Sequence, residues 1–108
     1  MEPLRGEVWD VKLPQIGEHP AIVLTVHSVA SRLAAVNVIV VTGTEGSPAT
    51  HVSLSAEAGL TRYPVSYANV VDIHTVAKSR FRRRRGRLAS TEFARIEEAF
   101  QTCLGLQE

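Results

Sequence analysis

Cysteine is nearly absent: Cys103 stands alone in 108 residues. No disulfide can close within the chain and no cysteine-built metal cluster can form, as expected in a reducing compartment. No apolar run approaches the ~20 residues that span a bilayer. The opening stretch "MEPLRGEVWD" lacks the apolar centre of a signal peptide, so a cytoplasmic location away from any membrane is expected. A glycine-rich phosphate loop, an HExxH pair, a calcium loop and a GxSxG elbow are all missing. No two of His19, His27, His51 and His74 have the i, i+4 spacing of a helical metal site. Neither a metal nor another cofactor is expected, and His27, His51 and His74 read as strand-surface residues.

What is present suits one small domain over residues 1–108, since 44% hydrophobic content at this length supports a true core. "RGEVWDVKL" alternates as a strand with one wetter face would. "PAIVLTV" and "AAVNVIVV" are nearly continuous runs of branched residues, which predicts central strands covered on both sides. A short polar or helical stretch around Ser28 to Leu33 separates them. "THVSLSA" follows the breakers Gly43, Gly46 and Pro48, and "SYANVVDIHTV" follows a wide loop; both have strand patterning. "AKSRF" has room only for a helical turn. The final segment predicts a helix with Ser90 as N-cap, Glu92 in the first turn, and Phe93, Ile96, Phe100 and Cys103 or Leu104 on one face before Gly105 ends it. The pattern is mainly β with helices (α+β): a small, strongly curved antiparallel sheet or barrel with the last helix docked on it.

The net charge of +1 conceals a concentration, because seven of the twelve basic residues lie between Lys78 and Arg87. On a strand, Arg82 to Arg85 bring like charges onto both faces. Something acidic should offset them, either phosphates or an acidic protein partner.

Two further residues suit phosphate chemistry. Cleaving RNA without a metal needs a group to take the 2′-hydroxyl proton, one to protonate the leaving oxygen, and donors for the phosphorane. His19, in the turn "QIGEHP" before the strand "AIVL", can act as acid or base, whereas Thr44 can only donate or position through its hydroxyl. Glu18 is either a base beside His19 or an exposed turn residue.

Taken in order, "RGEVWDVKL", "HPAIVLT", "VIVVTGT" and "DIHTVAKSRFRRRRGRLASTEFARIEEAF" with the terminal "LGL" resemble the MazF/PemK family of toxin ribonucleases of type II toxin-antitoxin modules. The most specific parts are Arg5-Gly6-Glu7-Val8-Trp9, the run from His74 to Phe81 leading to Gly86 and Leu88, and the last amphipathic helix. The resemblance implies a small SH3-like barrel shared with the CcdB gyrase poisons, a homodimer, and metal-independent, sequence-selective cleavage of single-stranded RNA to 2′,3′-cyclic phosphate and 5′-hydroxyl ends. It also implies an antitoxin whose acidic, partly disordered segment covers the RNA surface.

Carried over by position, the family's catalytic threonine falls on Thr44 of Thr42-Gly43-Thr44. Its arginine before the Pro-Ala strand falls on His19. The expected site is therefore catalytic His19 and Thr44, with Arg5, Glu18, Thr42, Arg80, Arg82 and Arg84 as RNA-contacting residues. Arginine stabilises charge and cannot be deprotonated, so histidine here implies either redistributed roles or a replacement cation from Arg5 or from Arg80 to Arg87. The short link from Pro14 to His19 predicts an open groove that leans on backbone phosphates. Two other functions compete: a gyrase-trapping toxin, although "CLGLQE" lacks the Trp-Gly-Ile end of that group, and a binding module without nuclease activity.

Overall fold

The chain turns back on itself at once. In the computed structural model, which describes residues 2–55, 59 and 65–106, strand β1 (Glu7–Leu13) returns as β2 (Gly17–Val23) through Pro14, Gln15 and Ile16 alone. Gly17 makes this possible by taking φ 85°, a left-handed value at which a side chain would be strained. Because the turn closes at Gly17, Glu18 and His19 do not sit in it, as the sequence suggested. They belong to the ladder, opposite Lys12 and Val11.

A short helix α1 (His27–Ala30) leads to β3 (Ala35–Thr42), β4 (His51–Leu54) and β5 (Ser66–Ala77). The wide loop expected before β5 lies largely outside the described residues. A 3₁₀ turn at Lys78–Arg80, as "AKSRF" predicted, then carries the chain into β6 (Phe81–Arg87). That turn is anchored by Lys78, whose Nζ donates to the Ala30 carbonyl and to Glu2 Oε1, each at 2.6 Å. Among the described residues, six strands pair antiparallel in the order β4-β5-β3-β2-β1-β6. The sheet is open, with β4 and the arginine-rich β6 at its edges. Charge on an edge strand also discourages strand addition by other chains.

The two apolar runs are central because alternate residues enter different cores. Ile22 and Ile39 join Val8, Val52, Val70 and Ile96 on the side covered by the last helix. Ala21, Val23, Val36, Val38 and Val40 join Trp9, Val11 and Phe81 on the other side, together with Ala30 of α1. Trp9 and Phe81 meet edge to face with centroids 5.6 Å apart.

Helix α2 (Ser90–Leu104) docks through Ile96, which is fully buried, with Phe93, Ala99 and Phe100 around it. Burying one such side chain contributes about 2–3 kcal/mol. The helix begins one residue earlier than predicted: Ala89, not Ser90, is the N-cap. Glu92 supplies what a capping side chain would, accepting from Ala89 N at 3.3 Å and also from Ser55 N at 2.6 Å, so it ties the helix start to the end of β4. Gly105 ends the helix at φ 67°, with Leu106 N donating to Gln101 O and Gly105 N to Thr102 O. This is the Schellman arrangement. Cys103 and Leu104 remain exposed, so the buried stripe is shorter than the sequence pattern.

Candidate active site

Where β2 and β3 part, a cleft of about 590 Å³ opens, lined by Asp10, Glu18, His19, Pro20, Val41, Thr42, Gly43, Thr44, Ser66 and Arg85. The last β2–β3 pair is Ala21 with Val40. Just beyond it, two residues back from Ala21 and one on from Val40, His19 Nε2 lies 2.5 Å from the Val41 carbonyl oxygen. A carbonyl only accepts, so Nε2 carries the proton, and in a neutral imidazole the lone pair is left on Nδ1. The backbone thereby chooses the tautomer.

Thr44 is presented by a local device. Its backbone N–H donates to Thr42 Oγ1 at 3.1 Å, folding the Thr42-Gly43-Thr44 corner so that Thr44 is exposed at the cleft while Thr42 is half-buried. The hydroxyl of Thr42 thus organises the turn, and Thr44 is the one offered to a ligand. Glu18 is exposed at the same rim. Four of the residues singled out in the sequence, Glu18, His19, Thr42 and Thr44, therefore come together from two separate segments.

The arginines named beforehand do not join them. Arg5 lines a second cleft beside α2, donating to the Leu24 carbonyl and to Glu97 Oε2, with its guanidinium 4.7 Å from the Phe93 ring centroid. Its role there is packing and pairing. Arg5→Ala should lower stability by about 1 kcal/mol while leaving RNA cleavage unchanged, as thermal melting and a cleavage assay on the same preparation would show. Arg82 donates to Ser79 O at 2.8 Å, and Arg84 Nε to Glu7 Oε2 at 2.7 Å. Arg80 is exposed on the 3₁₀ turn, away from the cleft lining.

The acidic offset expected for the arginine run is partly internal, since Glu7 and Asp10 of β1 face it. Glu7 accepts from Leu4 N, Trp9 Nε1 and Arg84. Burial alone would push its carboxyl up, but these three donors outweigh burial and hold it below the ordinary glutamate range.

Of the cleft lining, Asp10 was not among the residues expected at the site, and Arg85 was covered only by the range Arg80 to Arg87 offered for a replacement cation. Asp10, buried in β1, receives Arg85 Nη1 at 3.2 Å on each carboxylate oxygen. The signals were there: a carboxylate interrupting an otherwise buried strand, and Gly86, a strand glycine of the kind that marks a bulge. Among the described residues no group of three or more His, Cys, Asp or Glu side chains is placed to hold a metal ion.

Comparison with known proteins agrees across nearly the whole chain. The family described as PemK-like, MazF-like toxin of type II toxin-antitoxin system matches residues 4–104. A protein of Mycobacterium tuberculosis (strain ATCC 25618 / H37Rv) named "Probable endoribonuclease MazF2" is 38% identical over 99 residues, 91% of either chain. Among solved structures, an "Endoribonuclease in complex with its cognate antitoxin from Mycobacterial species" aligns with TM-score 0.86 and 26% identity over 96% of both chains. "Mycobacterium tuberculosis toxin MazF-mt6" shares the fold, with TM-score 0.81 and 23% identity over 92% of this chain and 96% of that one.

Proposed function

Since the chain belongs to the PemK-like, MazF-like toxin family of type II toxin-antitoxin systems, a toxin endoribonuclease by that membership, we propose that it cuts single-stranded RNA without a metal ion. The observation that carries this reading is the meeting of His19 and Thr44 in one open cleft, from segments far apart in the chain.

In the proposed reaction the ribose 2′-oxygen attacks the adjacent phosphorus. A bond forms between O2′ and phosphorus and the bond from phosphorus to O5′ breaks. His19 Nδ1 takes the 2′-hydroxyl proton, the leaving 5′-oxygen receives a proton from water, and the hydroxide so formed takes the proton from His19, which restores the base. Thr44 Oγ1 donates to the phosphoryl oxygen as negative charge grows there. The products are a 2′,3′-cyclic phosphate and a 5′-hydroxyl. Thr42 holds Thr44 in place, and Glu18 at the rim contacts the nucleotide beside the scissile one.

A cognate antitoxin is the proposed protein partner, as in the mycobacterial complex that this chain resembles. The exposed arginines Arg80, Arg82 and Arg87 offer an acidic segment a place to lie. A homodimer in the cytoplasm completes the reading. The exposed apolar side chains Val71 and Ile73, two apart on β5 and so on one face, give a second copy something to cover.

The test is incubation of the purified protein with a long single-stranded RNA in EDTA, with mapping of both new ends. Discrete cuts with 5′-hydroxyl ends are expected. Cutting that needs an added divalent ion would remove the proposed chemistry, and no cutting of any RNA would favour a protein-trapping toxin or a binding module.

A further inference from the structure

The site as assembled from His19 and Thr44 lacks a permanent positive charge, and a phosphorane carries more negative charge than the phosphate it forms from. Resting on the endoribonuclease reading above, we propose that Arg85 supplies that charge by direct contact with the scissile phosphate, and that Asp10 is the residue that positions it.

Three independent features of the backbone lead to Arg85. First, the β1–β6 ladder pairs Val8 with Gly86 and then Trp9 with Arg84, so Arg85 is the extra residue of a bulge and has no partner across the strand. A bulge re-aims a side chain that regular alternation would send elsewhere, and bulges gather beside active sites for that reason. Second, Arg85 belongs to the cleft lining it shares with His19 and Thr44, and among the described residues it is the only arginine or lysine there. Third, Arg84 is held by Glu7 and Arg82 by the Ser79 carbonyl, while Arg83 reaches Asp10 only at 3.9 Å, with its side chain 69% exposed, and is not in the cleft lining.

The pairing of Arg85 leaves it able to bind an anion. Asp10 Oδ1 and Oδ2 both accept from the same nitrogen, Nη1, and Nη2 donates to the Gly59 carbonyl at 3.3 Å. That is a shared contact on one edge of the guanidinium and not the two-nitrogen fork that would occupy a whole side. With its side chain 18% exposed and that of Asp10 12%, the pair is mostly desolvated, which strengthens the field it projects into the cleft. Gly59 is part of the same support: a Cβ there would lie 2.0 Å from the Arg85 carbonyl oxygen, so only glycine lets the chain cover this bulge so closely. Position and charge are thus both defined before RNA arrives.

This arrangement divides the work of the cleft between two side chains. Charge stabilisation moves across the cleft to Arg85, and position 19 becomes free to accept a proton.

The experiment compares Arg85→Ala, Arg85→Lys and Asp10→Asn with the parent in single-turnover cleavage, using an RNA with a 2′-deoxy residue at the cut site to measure binding. Melting curves report folding. Arg85→Ala should slow cleavage about 100- to 1,000-fold while the uncleavable RNA still binds, and added guanidinium ion should restore part of the rate at concentrations that leave the melting curve unchanged. Arg85→Lys should retain an intermediate rate, and Asp10→Asn should lower the rate without weakening RNA binding. Should Arg85→Ala fail to fold because Asp10 is left unpaired, the double variant Asp10→Asn with Arg85→Ala removes that charge, and guanidinium rescue is read there. If Arg85→Ala, or that double variant, cleaves at the parental rate while His19→Ala does not, the assignment of Arg85 is wrong and the endoribonuclease reading stands. A slow but folded variant that guanidinium does not rescue, with RNA binding lost in proportion, also overturns it. If the parent itself cuts no RNA, both readings fall together.

Discussion

His19→Ala is expected to slow RNA cleavage by about 100- to 10,000-fold with affinity for an uncleavable RNA largely kept. The size follows from the loss of a general base in a site with no other imidazole in its lining. Alanine also removes the Nε2 hydrogen bond to the Val41 carbonyl, so a cleaner variant is needed. Glutamine places an amide nitrogen close to the position of Nε2 and can still donate to Val41, but offers no basic nitrogen in place of Nδ1. His19→Gln should therefore melt like the parent and be as inactive as His19→Ala. His19→Arg introduces the residue type that the family resemblance implies for this position. Under the proposed division of labour it should stay inactive, because a guanidinium cannot take the 2′-hydroxyl proton. Recovery of the parental rate in His19→Arg would show that charge, not proton transfer, is what position 19 contributes. Thr44→Ala should lose rate as well, with Thr44→Ser retaining most of it, since only the hydroxyl is required.

The largest effect on stability is expected at Glu7. Its carboxylate is 6% exposed and accepts from a backbone N–H, an indole N–H and a guanidinium. Glu7→Ala leaves the buried Trp9 Nε1 and the part-buried Leu4 N without their acceptor inside the fold, at about 1–3 kcal/mol for the first and about 1 kcal/mol for the second. The half-exposed Arg84 adds little, because water takes over its solvation. Chemical denaturation should thus show a loss of about 2–4 kcal/mol, and Glu7→Gln, which retains one acceptor oxygen, a smaller one. The pH dependence has a definite sign. A carboxyl held below its ordinary range in the folded state contributes stability that is present above the unfolded glutamate pKa of about 4.3 and is lost as pH falls through the folded value. The parent should lose stability on acidification across that window more steeply than Glu7→Gln. Identical acid profiles for the two would show that the Glu7 charge does not stabilise the fold.

Much of the fold was legible because burial leaves periodic marks. Two branched runs named the central strands, and the spacing of Phe93, Ile96 and Phe100 named the docking helix. Gly105 ends the last helix where the sequence placed its end, whereas the first turn closes at Gly17, earlier than expected. Ser90 misled because the buried Glu92 provides the cap from inside the first turn, a tertiary contact with Ser55 that no local pattern reveals. The open sheet, in place of a closed barrel, depends on which edges pair, and pairing across the sheet leaves no local mark.

The site divides along the same line. His19 and Thr44 were legible as residue types at recognisable places, and their convergence needed only that β2 and β3 be neighbours. The arginines were not legible, because eight residues of nearly uniform charge carry no pattern from which to assign faces. Two bulges in β6 break the alternation that a regular strand would have imposed, which placed Arg85 in the cleft and Arg82 outside it. Composition and order, then, determined the family, the strands, the last helix and two of the residues proposed to react, because each rests on local chemistry or on burial that repeats along the chain. Only the tertiary structure decided which cation serves the cleft, because register shifts and the carboxylates of β1 select among identical side chains through contacts made across strands.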